Sequence, residues 1–180
     1  MKSIAIYTNG ETIDFSNHTL LEKLRIDGDC HVTNISNCTS LTDLCFYKNN
    51  KIVSTIDLRQ MNALKNVTLF ECWSLTSINL SGSQHLDSLS FRSWGDNEVD
   101  IDISYCNHLR SLTLDVSGCT SLTTLTCYNN EIKELDVHSC VALNELYCYS
   151  NSNLATLILN KNHQISKLFY DDHTQIIQKE

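Results

Sequence analysis

Nine cysteines, seven histidines and twenty-one Asp and Glu residues are the groups through which this chain of 180 residues could do chemistry. Their spacing decides which chemistry is open to them. The histidines (His18, His31, His85, His108, His138, His163, His173) fall into no H-E-x-x-H or other metal-ligand spacing. There is no C-x-x-C pair, no Gly-rich phosphate loop and no G-x-S-x-G elbow. Cys45 is expected on a strand surface, but its surroundings in sequence supply no base to activate it as a nucleophile. The run Asp96, Glu98, Asp100, Asp102 is dense in carboxylates, yet such a run is more often a solvated loop than a calcium site. The expectation is no catalytic residue, no metal and no cofactor.

The cysteines call for another explanation. Their number is odd, and residues 1–20 hold an apolar run of only four (Ile4, Ala5, Ile6, Tyr7), too short for an export signal. A secreted disulfide scaffold is therefore not expected, and reduced core thiols are. On the same ground a cytoplasmic location is expected, with a secreted or cell-surface one as the alternative.

The elements that place these residues emerge from self-similarity. LTTLTCYNN from Leu122 and LNELYCYSN from Leu143 both fit L-x-x-L-x-L/C-x-x-N, and the frame recurs at Leu21, Leu41, Leu64, Leu86, Leu109 and Ile165. Between these lie second units of nearly the same frame at Val53, Leu75, Ile132 and Leu154. The repeat is thus about 22 residues, built of two nested units of about 11, over roughly residues 4–173, with a short tail at 174–180 of a single domain spanning 1–180.

An apolar residue at alternate positions marks a short strand with one face buried. Three residues after the strand, a slot holds Asn9, Asn49, Cys72, Asn130 and Asn151 in the first units and Cys106, Cys119, Cys140 and Asn162 in the second. Stacked Asn side chains there would satisfy the backbone of a buried turn, and Cys would fill the same space. Cys127 and Cys148 replace the last core leucine of their strands. Packing thus accounts for six of the nine thiols.

The alternation in TSLTTLTCYNNEIKELDVHSC resembles the nested, IRREKO-type leucine-rich repeats of bacteria. That resemblance implies a right-handed solenoid with a parallel β-sheet on its concave face. Short extended or turn segments, with few or no helices, would form its convex side. It also implies a scaffold for protein binding. The pattern is irregular at Asn37 and across 94–121, where the unit at Leu109 runs straight into LDVSGC, so a bulge or phase shift is expected there.

Residues alternating with the core positions should face outward from the first-unit sheet. Among them Tyr47, Phe70, Arg92, Tyr128, Glu145, Tyr147, Tyr149 and Phe169 form the candidate partner-binding surface. Solvent-facing aromatics anchor interfaces, although they also favour strands and stack on their neighbours. A second column, Asp14, Asp57, Asp102, Asp115 and Asp136, is expected to bond turn backbone.

Thirteen Lys and Arg against the twenty-one acids give a net charge of −8, which disfavours nucleic acid and acidic membranes and suits a basic protein. Residues 91–180 are the more negative half, with six bases and twelve acids. The expected function is a non-catalytic protein-interaction module, such as an inhibitor, immunity or adaptor protein. A fragment of a surface adhesin and a self-associating structural repeat are the alternatives.

Overall fold

The computed structural model describes residues 2–51, 55–72, 74–92, 99–104, 106, 111–113 and 122–180; for Arg92 and 111–113 it describes the backbone only. The chain winds as a parallel β-solenoid of about seven turns, and the described residues hold one 3-10 turn, at Ile35–Asn37. Every pairing between strands is parallel, as coiling in one sense requires.

Two long strands, β1 (Ser3–Asp14) and β2 (Lys23–Thr33), open the solenoid. The shorter strands β3 (Asp43–Tyr47), β5 (Asn66–Phe70), β7 (Ser88–Arg92) and β9 (Ser111–Thr113) follow them in a six-stranded sheet, A. Sheet B stacks β4 (Thr55–Asp57), β6 (Ser77–Asn79), β8 (Val99–Asp102), β10 (Leu122–Thr126), β12 (Glu145–Tyr147) and β14 (Lys167–Phe169). Sheet C holds β11 (Glu134–Asp136), β13 (Thr156–Asn160) and β15 (Gln175–Lys179), and takes in the second half the place in the alternation that sheet A holds in the first.

The second units were expected to be short extended or turn segments. They are extended and pair as strands, because the second apolar position of each also has a core to enter. Ile56, Ile78 and Ile101 of sheet B are as buried as Leu44, Val67 and Leu89 of sheet A, and all belong to one hydrophobic cluster. Residues 175–179, set beyond the repeats in the sequence, form β15 and extend the ladder of β13.

The expected irregularity at 94–121 lies largely outside the described residues, and its consequence is visible on either side. In the first half the L-x-x-L-x-L-x-x-N units lie on sheet A and the second units on sheet B. From Leu122 onward the assignment reverses, so that β8, a second unit, pairs directly with β10, a first unit, Ile101 opposite Leu125. The ladder accommodates the change with a bulge between Leu122 and Thr124. Asn37, expected in the core, is exposed and donates from Nδ2 to Ser16 O at 3.3 Å, because the 3-10 turn lifts it out of the coil.

The turn slot behaves as a ladder of donors. Asn151 Nδ2 donates to Cys127 O of the preceding coil at 3.0 Å and to Cys148 O of its own at 2.9 Å, while its Oδ1 accepts Ile132 N. Asn130 donates likewise to Ile103 O and Cys127 O, both at 2.9 Å. Where the slot holds Cys106, its Sγ points at Leu80 O of the coil before, 3.2 Å away. Ser83, which the sequence pattern did not single out, does the same with Leu58 O at 3.0 Å. Asn9 and Asn162 are exposed, and Cys119 lies outside the described residues.

The residue just before the slot is repeatedly in the left-handed region: Lys48, Gln60, Glu71, Asn129 and Ser150 at φ 55–58°, and Gly82 at 72°. Five of these six precede a buried polar or thiol side chain (Asn49, Cys72, Ser83, Asn130 and Asn151), and Gln60 precedes the buried Met61.

Candidate partner-binding face

Parallel strands in register bring equivalent side chains to within about 4.8 Å of one another, so any residue type repeated at one position becomes a column. Tyr47 and Phe70 stack at 5.1 Å on sheet A, Tyr147 and Phe169 at 5.4 Å on sheet B, and Tyr128 and Tyr149 at 4.7 Å just past the ends of β10 and β12, each pair within 6° of coplanar. The spacing of the sheet dictates that stacking.

The eight candidate residues do not share one surface. Tyr47 and Phe70 lie on sheet A, with Arg92 opposite Phe70 in the backbone register; the Arg92 side chain lies outside the described residues. Glu145, Tyr147 and Phe169 lie on sheet B, and Tyr128 and Tyr149 stack on each other two residues past the ends of β10 and β12. The two sheets share one core, so their outward faces point away from each other across it.

The outward face of sheet B joins two columns that the sequence presents separately. Following the register, one column runs Asp57, Asn79, Asp102, Thr126, Tyr147, Phe169. The column before it runs Thr55, Ser77, Asp100, Thr124, Glu145, Lys167. One end of the face is therefore acidic and the other aromatic, with hydroxyl side chains between. This follows from the exchange of unit types, which puts the Asp of second units and the aromatics of first units on one sheet.

At the aromatic end the rings differ in access. Tyr128 and Tyr147 are half-buried between neighbouring coils, while Tyr149 keeps 36% and Phe169 51% of its surface exposed. Glu145 accepts hydrogen bonds from Lys167 Nζ and Tyr147 Oη, both at 2.8 Å. The lysine bond and then the tyrosine bond hold its carboxyl below the ordinary value, and the same contact pushes the Tyr147 phenol up. This network fixes Tyr147 against Phe169 and leaves a charged, hydrogen-bonded border.

Most of the Asp column bonds turn backbone, as expected. Asp14, Asp57, Asp102 and Asp136 each accept the N–H two residues on, at 3.0–3.2 Å, and Asn79 and Asn160 make the same turn. Asp115 lies outside the described residues, as do Asp96 and Glu98 of the acidic run. Cys45, on the outward side of sheet A, is half-buried, and burial pushes its thiol up despite nearby Arg25. A raised thiol holds little thiolate at neutral pH. The eight described cysteines are all free.

Comparison with protein-family models, with curated proteins and with solved structures finds no match to this chain.

Proposed function

We propose that this chain is a non-catalytic protein-interaction module of the nested leucine-rich-repeat type, a right-handed coil that seats a basic partner on the concave, outward face of sheet B. The observation that carries this reading is the aromatic end of that face: Tyr149 and Phe169 keep exposed ring surface while stacked on Tyr128 and Tyr147. Rings held rigid by a neighbour lose little freedom on binding and make good anchors.

Asp100 and Asp102 on the same face, beside an Asp57 paired with Arg59 at 2.7 Å, together with a net charge of −8, supply the acidic field that attracts a cationic protein and sets its orientation. A cytoplasmic inhibitor or immunity protein directed at a basic target is the concrete form of the proposal. Sheet A is the weaker candidate. There Arg25 and Lys48, each ion-paired with an acid, stand over the Tyr47 ring and would oppose a basic partner.

The test is affinity capture from the source cell with three forms of the chain. Wild type and the Tyr47→Ala plus Phe70→Ala variant should retain the same basic protein, and Tyr149→Ala plus Phe169→Ala should weaken its binding about 30-fold or more, the loss expected of an anchor worth about 2 kcal/mol. Equal binding by both variants, or no specific partner for any form, overturns the proposal.

A further inference from the structure

The wall of the solenoid has a break between the tail of β2 and β4, well inside the chain. Val32 of β2 stands opposite Ile13 of β1, and Ile13-Asp14-Phe15 matches Ile56-Asp57-Leu58 in frame. Val32 therefore holds in its coil the place that Ile56 holds in the later one. The two strands nonetheless do not pair. Among the described residues β2 pairs with β1 and β3, and sheet B ends at β4. Between the two strands the chain makes the 3-10 turn Ile35–Asn37, entered through left-handed Asn34 at φ 56°.

The bonds on the far side of each strand show which groups face the break. Phe15 N donates to Thr33 O, so His31 and Thr33 are turned toward β1 and Val32, by alternation, toward β4. Leu58 N donates to Asn79 O, so Ile56 and Leu58 are turned toward β6, and Thr55 and Asp57 toward β2. Among the described residues the backbone N–H and C=O groups of Val32, Thr55 and Asp57 have no hydrogen-bond partner. Each strand thus turns an open edge to the break.

The space between the edges is a cavity of about 200 Å³. Val32, Phe46 and Ile56, each at most 5% exposed, form its floor, and Ile35, Ser36 and Thr55 its walls. A second hollow shares Ser36 and Asp57 with it and runs on past Arg59 to Gln60, so that the two make one trough along β4. A trough beside an open edge suits an extended backbone, which finds there the N–H and C=O partners of a strand. An apolar hollow smaller than the roughly 300 Å³ of a small-ligand pocket suits one side chain.

We propose that an extended peptide segment of a partner protein docks in this trough as an added strand, parallel to β4 like the strand pairs already present. A β-branched apolar residue of the segment stands opposite Ile56 and fills the cavity. Its N–H donates to Thr55 O, and its C=O accepts Asp57 N. The residues on either side of it point outward beside Thr33, Thr55 and Asp57, where threonine or serine fits. Backbone bonds supply the affinity, and the single inward side chain supplies the selectivity. The site is separate from the aromatic end of sheet B and stands whether or not that end binds a partner.

Titration of the capped peptide Thr-Thr-Val-Thr-Thr into the isotope-labelled full chain, followed by amide NMR, tests the proposal. Shifts should saturate at Val32, Thr55 and Asp57, and these amides should gain protection from hydrogen exchange. Methylating the valine nitrogen should weaken binding about tenfold, the loss of one hydrogen bond, and aspartate in place of the valine should abolish it. Ser36→Trp, which fills the trough, should also abolish binding. Thr55→Pro, which removes an N–H that β6 does not use, should weaken it, and Tyr149→Ala plus Phe169→Ala should bind the peptide as wild type does. Circular dichroism confirms that each variant is folded. Three outcomes overturn the proposal: no saturable shift at millimolar peptide, binding indifferent to N-methylation, or broadening of Val32 and Thr55 that grows with protein concentration without peptide, which would make a second copy the occupant.

Discussion

Ile101 of β8 lies directly opposite Leu125 of β10, although one belongs to a second unit and the other to a first unit of the repeat. Both side chains are at most 1% exposed, so the core accepts either type at that point. The exchange fixes which residues meet on sheet B, and it brings the aromatics beside the carboxylates.

Asn151 is the most heavily committed rung of the turn ladder, bonding Ile132 N and the Cys127 and Cys148 carbonyls from a fully buried side chain. Asn151→Ala leaves those groups without partners and should cost about 3 kcal/mol in urea unfolding. Cys106→Ser keeps a donor aimed at Leu80 O, as Ser83 does toward Leu58 O, and should cost about 1 kcal/mol.

Gly28 has φ 100°, and a Cβ there would lie 2.3 Å from Thr8 O on the neighbouring strand. Gly28→Ala must push β1 and β2 apart. At Gly82, φ 72° is a left-handed position that other coils fill with Lys, Gln, Glu, Asn or Ser. Gly82→Ala should therefore cost only about 1 kcal/mol, and Gly28→Ala distinctly more, as read from the shift in thermal unfolding.

Asp136 accepts from His138 N and lies 2.6 Å from His138 Nδ1, and its other oxygen takes Lys179 Nζ at 3.1 Å. Burial alone raises its carboxyl, but these bonds outweigh it and hold the group below its ordinary value. A carboxyl lowered in the folded state stabilises above its unfolded pKa, and the contribution is lost as pH falls through the folded value. Asp136→Asn keeps the turn bond, as Asn79 and Asn160 show, and removes the charge. Urea midpoints should separate the two proteins at pH 7 and converge once pH has fallen below the carboxylate range.

Burial orders the thiols. Desolvation pushes Cys72, Cys106 and Cys148 up to about 12 and raises fully buried Cys127 well above its ordinary value, whereas Cys45 is only half-buried. Mass spectrometry of alkylated native protein should find Cys45 labelled before Cys30, Cys38, Cys72, Cys106, Cys127, Cys140 and Cys148, and denaturation should erase the order. Early labelling of Cys127 would contradict the packed core described here.

The repeat itself was legible because the L-x-x-L-x-L frame has one physical meaning, an apolar stripe on a short strand. The Asn and Cys slot was equally readable, since a buried turn must satisfy its backbone, and Asn49, Asn130 and Asn151 do so. Two features were not. Second units were read as short extended or turn segments because so few residues leave no room for a helix, yet Ile56 and Leu135 give them ladder-forming strands of their own. The aromatic column was read as continuous because Tyr47 and Tyr128 hold the same place in their frames. What separates them is how many half-coils lie between, a count blurred by the fused units near Leu109. The corner residues Lys48, Gln60 and Glu71 gave no sign of their left-handed backbone, since their types do not favour it.

The exchange of unit types has a further meaning for how such a chain can change. One unit of about 11 residues is half a turn, so gaining or losing a single unit would rotate everything downstream to the opposite side of the molecule. Tyr147 and Phe169 could pass from one flank to the other with their own strands and neighbours intact. A binding surface on this scaffold can thus be re-aimed by unit number alone, without altering any residue that makes the contact.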